Sequence, residues 1–422
     1  MSIESFVSCA GQRALRSAAG AAALLLGLSS CGGYGNGCGY GCSFTPFNVP
    51  NSIAVADVNG DGVPDLVVAT TSEQGGGNAP GFANVILGKM GAAGTFATGV
   101  QYATGAMQPS SIAVADLAGT GALDLVVANF GSGSVSIFTP GATAGTYQAA
   151  VSVMTGGAPN QVAIGDLDHV GKLDLVVADL SAAGNVIVLP HDPANPGKFL
   201  APLMLPTSRF TASVAVGNLA GNSAGPLDIV AATYDANGNN GAVYVFRHGT
   251  TPGTFLAPVI FAAGAQPQAV RIADVNGDGL PDLIVANLGP GSDGTGVAGV
   301  SVLLQNAAGT FLAPVTYATP EGAIDVAVGA LTVPGTPDLV VASLDPDPTG
   351  SVSVLLHNAA QPGTFLAATS YRGFGQPLSV AIADLNGDGH PDIAVADGST
   401  ATVLLQVATA PGTFAAPVQV GQ

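Results

Sequence analysis

A nine-residue pattern, D-x-N-x-D-G-x-x-D, stands three times in this chain: DVNGDGVPD at 57–65, DVNGDGLPD at 274–282 and DLNGDGHPD at 384–392. In such a loop the side chains of positions 1, 3, 5 and 9 and the carbonyl of position 7 can aim oxygens at one point, while glycine at position 6 permits the sharp turn. The expected ligand sets are Asp57, Asn59, Asp61, Val63 and Asp65; Asp274, Asn276, Asp278, Leu280 and Asp282; and Asp384, Asn386, Asp388, His390 and Asp392, with Val63, Leu280 and His390 contributing carbonyls. Hard oxygen donors without a thiol or an obligatory imidazole favour Ca2+ over zinc or copper, and carboxylates packed this closely repel one another without a cation. One copy alone would read as a solvated Asp/Asn/Gly turn. Three near-identical copies argue for a cage, giving about three calcium sites.

The loop resembles the first nine positions of an EF-hand, and that reading fails twice. Position 12 is Val68, Val285 or Val395 where an EF-hand needs a bidentate Glu, and the flanks SIAVAD and DLVVAT are short apolar runs rather than helices. Their β-branched residues read as buried strands, so each loop connects the two arms of a β-hairpin.

From residue 44 onward this unit repeats. An apolar run enters, the acidic loop follows, a DLVVA-like run leaves, a third run such as NVILG or SVLLQN comes next, and a Gly-x-aromatic triplet begins a fourth; the triplet glycines are Gly94, Gly145, Gly197, Gly253, Gly309, Gly363 and Gly412. Loops start at 57, 116, 166, 218, 274, 330 and 384, intervals of 50 to 59 residues, which suit a four-stranded antiparallel unit. Seven such units predict an all-β fold, a seven-bladed β-propeller whose blades hide one another's faces. Entering strands such as IAVAD and VAIAD show no polar face and read as buried on both sides, with their small residues near the axis. Two closures fit the pattern: seven self-contained blades, or residues 44–49 completing the last blade. In either case residues 414–420 must lie against the early repeats.

The units resemble the FG-GAP or VCBS class of repeats found in integrin α-subunit heads and in many bacterial surface proteins. The resemblance rests on the D-x-N-x-D-G-x-x-D loop between the first two strands, the DLVVA run and the GTF turn, and it covers nearly all of the chain after its N-terminal segment. It implies calcium in such loops and a role in adhesion, glycan binding or, less often, catalysis. Four loops depart from the pattern. The second has Ala118 and Thr120 inside, the fourth, 218–228, is two residues longer, and the sixth, 330–338, keeps only its final Asp. These three are expected to be metal-free turns. The third keeps Asp166, Asp168 and Asp174 but has Val170 at position 5, which leaves it between a weaker fourth site and a plain turn.

Arg13 and Arg16 precede an apolar run at 18–28, of signal-peptide rather than membrane-spanning length. Leu28-Ser29-Ser30-Cys31 resembles a bacterial lipobox, so 1–30 reads as a lipoprotein signal and Cys31 as the acylated residue, with Gly32 after it suggesting outer-membrane retention; a plain secretory signal is the alternative, and both place the protein in the cell envelope or outside it. Cys9 would leave with the signal. Cys38 and Cys42 remain in a glycine-rich tether, 31–43, where they could pair as a disulfide but are too few for a structural zinc site. The repeat region, 44–422, holds no cysteine. A net charge of −18 with only 9 Lys plus Arg excludes an extended nucleic-acid track.

Candidate chemistry is sparse. Gly221 to Gly225 matches G-x-S-x-G, but in a degenerate hairpin loop and not at a strand-to-helix turn. Gly289, Gly291 and Gly294 match G-x-G-x-x-G, but the run that follows, GVSVLL, is another strand. His169, His191, His248, His357 and His390 are scattered without ligand spacing and read as surface or turn residues. The longer loops 72–83, 234–240 and 288–298 read either as the recognition surface or as solvated insertions. The expected function is a calcium-binding extracellular module for adhesion or for binding protein or glycan, without a catalytic constellation. The alternative is an extracellular, lyase-like propeller enzyme acting on polysaccharide.

Overall fold

The computed structural model describes residues 48–421 apart from 73–79, 90–93, 222–224, 291–293, 295, 321, 345–349 and 399. The signal segment, Cys31, the Cys38–Cys42 pair and residues 44–47 lie outside the described residues, as does the centre of the G-x-S-x-G match. Seven four-stranded antiparallel sheets, each made of four consecutive strands, span 48–107, 109–154, 159–206, 210–262, 267–318, 322–372 and 377–420. Of the two closures, the self-contained one is found. Asn48–Ala56 pairs with Asp65–Ser72 inside blade 1 and Val418–Val420 with Thr400–Leu404 inside blade 7, so among the described residues these two blades exchange no strand. Val420 nonetheless reaches the early repeats, packing into the cluster that holds Ile53 and Ile86.

The second and third strands are the most deeply buried, and Ser134–Phe138, Ala242–Phe246, Gly299–Leu303 and Ser351–Leu355 among the third strands are buried at every residue. In Asp124–Asn129, Asp174–Asp179 and Asp282–Asn287 every residue is buried. The first strands depart from the expectation of burial on both sides. Their last three residues, Ala54, Val55 and Ala56 in blade 1 and their counterparts in nearly every other blade, are half-buried because they border the axis, where seven strands form a ring and cannot fill its centre. Fourth strands such as Val151–Met154 and Val259–Ala262 form the exposed rim.

The core is divided among the seven seams between blades, each with its own apolar cluster. Burial of each Val, Leu or Ile there contributes roughly 1.5–3 kcal/mol. Polar clamps reinforce the seams beside the axis. Ser52, Ser111, Gln161 and Ser213 accept the backbone N–H groups of Ile112, Val162, Val214 and Val270 in the next blade at 2.8–3.4 Å. Blade 5 has Ala269 at this position, and there the ion pair of Arg271 with Asp325, 2.6 Å, spans the seam instead. Asp325 in turn accepts from Val380, and Ser379 accepts from Ile53 at 3.4 Å, which carries the ring of clamps across the closure between blades 7 and 1.

The Gly-x-aromatic triplet works between blades as well. Its aromatic residue does not begin the fourth strand; it makes an isolated bridge to the residue just beyond the third strand, as Phe96 does to Gly88. At four seams its ring meets, edge-on, an aromatic of the preceding blade's outer strand: Tyr102–Tyr147, Phe261–Phe311, Tyr317–Phe365 and Tyr371–Phe414, at 5.2–5.7 Å. Each such pair adds about 0.5–1.5 kcal/mol beyond area burial.

Candidate functional site

Because each blade is a simple meander, all seven first-to-second-strand loops fall on one face, beside the bridges made by the triplets. The three complete loops share one backbone trace. In blade 1, Asp57 accepts the amides of Gly60, Asp61 and Gly62 at 2.7, 3.1 and 2.8 Å, Asn59 accepts that of Asp61 and Asp61 that of Val63. Blades 5 and 7 repeat these bonds around Asp274, Asn276 and Asp278 and around Asp384, Asn386 and Asp388. Gly62, Gly279 and Gly389 hold φ at +84°, +84° and +83°, a left-handed turn that explains why position 6 is glycine. Position 3 touches the next blade. A Cβ on triplet Gly145 would lie 3.2 Å from the Asn59 Cβ, and one on Gly363 would lie 3.1 Å from that of Asn276.

The acid at position 9 serves the fold in every blade, including those with degenerate loops. Asp65, Asp124, Asp174, Asp228, Asp282, Asp338 and Asp392 are all buried, and each accepts the amide of position 2 at 2.9–3.2 Å. In six blades the other carboxylate oxygen accepts the amide of the residue after the third strand: Gly88, His191, His248, Gln305, His357 or Gln406. Blade 2 has Pro140 at the corresponding bridge, which has no N–H to give.

Where that residue is histidine, its ring also meets the acid. Nδ1 of His191, His248 and His357 lies 2.8, 2.7 and 2.9 Å from Asp174, Asp228 and Asp338. The expectation of surface or turn histidines fails for His191, which is buried, and these three residues, scattered in sequence, occupy one equivalent place in blades 3, 4 and 6. A signal was present: each follows its acid by 17–20 residues. It went unread because this position is glycine, proline or glutamine in the other blades.

A charge pattern results. Blade 4 adds Arg247, 2.9 Å from Asp228, and the Lys172 ammonium stands on the Ala118 carbonyl inside the blade 2 loop. Every degenerate loop therefore has a basic side chain at hand. Among the described residues no ion pair reaches the acids of the three complete loops. There burial, with the neighbouring loop carboxylates adding to it, pushes Asp65, Asp282 and Asp392 up to about 6. A hard dication fits these residues: the donors are all oxygen, the carboxylates are crowded, and among the described residues no ion pair offsets their charge. In blade 3, Asp166 and Asp168 accept loop amides as at a complete loop, but Val170 supplies no side-chain ligand.

The opposite face carries the second-to-third-strand loops and the crossovers between blades. Of the candidate recognition loops, 73–79 and most of 291–295 lie outside the described residues. The loops of blades 4 and 5 flank a cleft of ≈ 330 Å³ lined by Asn239, Asn240, Gly241, Ala263, Gly264, Ala265, Gly296, Val297 and Thr316, with no titratable side chain. The third strand of blade 5, Gly299–Leu303, follows the G-x-G-x-x-G match, so no helix N-terminus is there to receive a phosphate. Among the described residues no helix is long and apolar enough to cross a membrane.

Comparison with known proteins agrees with this architecture. The FG-GAP-like repeat matches residues 57–127, 222–285 and 335–395. No curated protein sequence matches the chain. Among solved structures, a proposed 6-phosphogluconolactonase from Bacteroides fragilis is 13% identical with a TM-score of 0.57, covering 85% of this chain and 96% of its own. A periplasmic gluconolactonase from Pseudomonas aeruginosa is 18% identical with a TM-score of 0.56 and the same coverage. At these identities the likeness is one of fold.

Proposed function

This chain is an FG-GAP repeat β-propeller, and on that premise we propose that it is a calcium-stabilised interaction module of the cell envelope. The observation that carries the calcium reading is the charge pattern. The acids of loops lacking the full set pair with His191, Arg247 and His248 or His357, or have Lys172 beside them, while among the described residues no ion pair, from His390 of blade 7 included, reaches the acids of the complete loops of blades 1, 5 and 7. Calcium would take Asp57, Asn59, Asp61 and the Val63 carbonyl, with Asp65 at the base, and the equivalent groups in blades 5 and 7. Its role is structural, since position 3 of each loop buttresses the triplet glycine of the next blade.

Recognition is proposed for the cleft between blades 4 and 5. Its amide, hydroxyl and backbone groups suit an uncharged, hydrogen-bonding ligand such as a glycan or an extended peptide. Attachment through Cys31 would hold the propeller at the membrane, and acyl-chain incorporation lost in Cys31→Ala tests that. The test of binding is an array of polysaccharides and matrix proteins probed with wild type and Val297→Arg. Val297 is 54% exposed, so arginine there obstructs the cleft without entering the core. Binding abolished by this substitution supports the reading; binding unaffected by it removes the cleft.

The fold likeness to two lactonase propellers favours a second reading, an extracellular propeller enzyme acting on a sugar lactone or, lyase-like, on polysaccharide. Turnover of gluconolactone or release of unsaturated sugar by the purified chain would decide for it.

A further inference from the structure

We propose that blade 3 carries a separate site for a borderline divalent cation of the zinc class, built from Asp168, Asp174 and His191. One ligand atom from each lies within 4.8 Å of the other two. His191 and Asp174 are buried and Asp168 half-buried, so the cluster is largely shielded from solvent. The proposal rests on this cluster alone and is independent of calcium at blades 1, 5 and 7.

Comparison with the other histidine-bearing blades isolates what is particular here. In blades 4 and 6 the imidazole–carboxylate pair is complete in itself: Arg247 takes the second oxygen of Asp228, and the Thr332 hydroxyl that of Asp338, 3.1 Å. Loop position 3 is uncharged there, Ala220 and Thr332. Blade 3 places a second carboxylate, Asp168, against one imidazole, and its basic loop residue, Lys172, is turned away to the Ala118 carbonyl of blade 2. Two carboxylates on a single imidazole leave excess negative charge. A dication relieves it.

The donor set selects the metal. Valine at position 5 removes one of the hard carboxylates that a calcium loop uses, and His191 brings an imidazole where the complete loops have Gly88, Gln305 and Gln406. Imidazole with carboxylate suits zinc, cobalt, nickel and copper far better than calcium. The 2.8 Å contact holds His191 Nδ1 beside the Asp174 carboxylate, and a cation would take Nδ1 in place of that hydrogen bond. Three protein ligands leave room for water in the fourth position.

The test is titration of the full chain with Co2+, read by its visible absorption, and with Zn2+ by calorimetry, both in millimolar calcium. The variants are His191→Gln, a residue the chain itself places at the equivalent positions 305 and 406, and Asp168→Ala, as at position 220. Wild type should bind one calcium-resistant equivalent, weakened at least tenfold in each variant and unchanged in Asp278→Ala. Near-UV circular dichroism reports the fold of each variant. No calcium-resistant binding by wild type, displacement of cobalt by calcium, or equal binding by both folded variants overturns the proposal.

Discussion

Withdrawing calcium from one loop at a time tests the reading most directly. At millimolar calcium and a Kd of about 0.1 mM, ordinary for extracellular modules, an occupied site adds roughly 1.4 kcal/mol. Three independent sites add about 4 kcal/mol. Unfolding entropy of about 2.1 cal/mol/K per residue over some 370 residues is about 0.8 kcal/mol/K, so chelation should lower the melting midpoint by about 5 °C if the ring melts as one unit. Asp61→Ala, Asp278→Ala and Asp388→Ala should each remove about a third of the difference between calcium and chelator. The difference is the proper readout because, without the ion, losing a carboxylate also relieves repulsion. The blade 7 variant carries a further consequence. Triplet Gly94 of blade 1 packs against Asn386 of the blade 7 loop, and the seam between these blades is the one that chain connectivity does not span. Asp388→Ala should therefore open that seam to limited proteolysis in calcium, while Asp278→Ala does not. A wild-type midpoint that ignores chelator would refute the calcium argument, and equal protease resistance of the two variants would refute its seam-specific part.

Acidity should act in the opposite direction on the metal-free protein. Asp65, Asp282 and Asp392 have folded pKa values of about 6, above the ordinary 3.8; the folded state then holds more protons between these values, so chelated protein loses stability as pH rises from about 4 to 6, and denaturant midpoints should fall over that window and fall less in Asp392→Asn. Gly363→Ala forces a Cβ onto a residue at φ +78° and to 3.1 Å from the Asn276 Cβ, a cost of about 1–2 kcal/mol visible in the same midpoints. Ser379→Ala removes the clamp on Ile53 and a 2.9 Å bond to Asp325, and should destabilise by about 1–2 kcal/mol, seen as faster amide exchange at Ile53.

Much of this protein was written in its local patterns. The period of the acidic loops and the repeated DLVVA and GTF runs determined seven four-stranded blades, because strand length, turn chemistry and the need to bury both faces of a sheet are short-range properties. The three complete loops were legible for the same reason, as all their donors lie within nine residues. Tertiary structure decided what depends on neighbours distant in sequence. It chose self-contained blades over an exchanged strand and left the first strands half-buried at the axis. It showed the position 9 acid to be a fold staple in every blade, bonded in six of them to an amide 14–23 residues away. It also gathered His191, His248 and His357 onto three of those acids, a placement that no spacing between the histidines themselves could reveal, since each meets its partner only after the third strand has folded back beside the second.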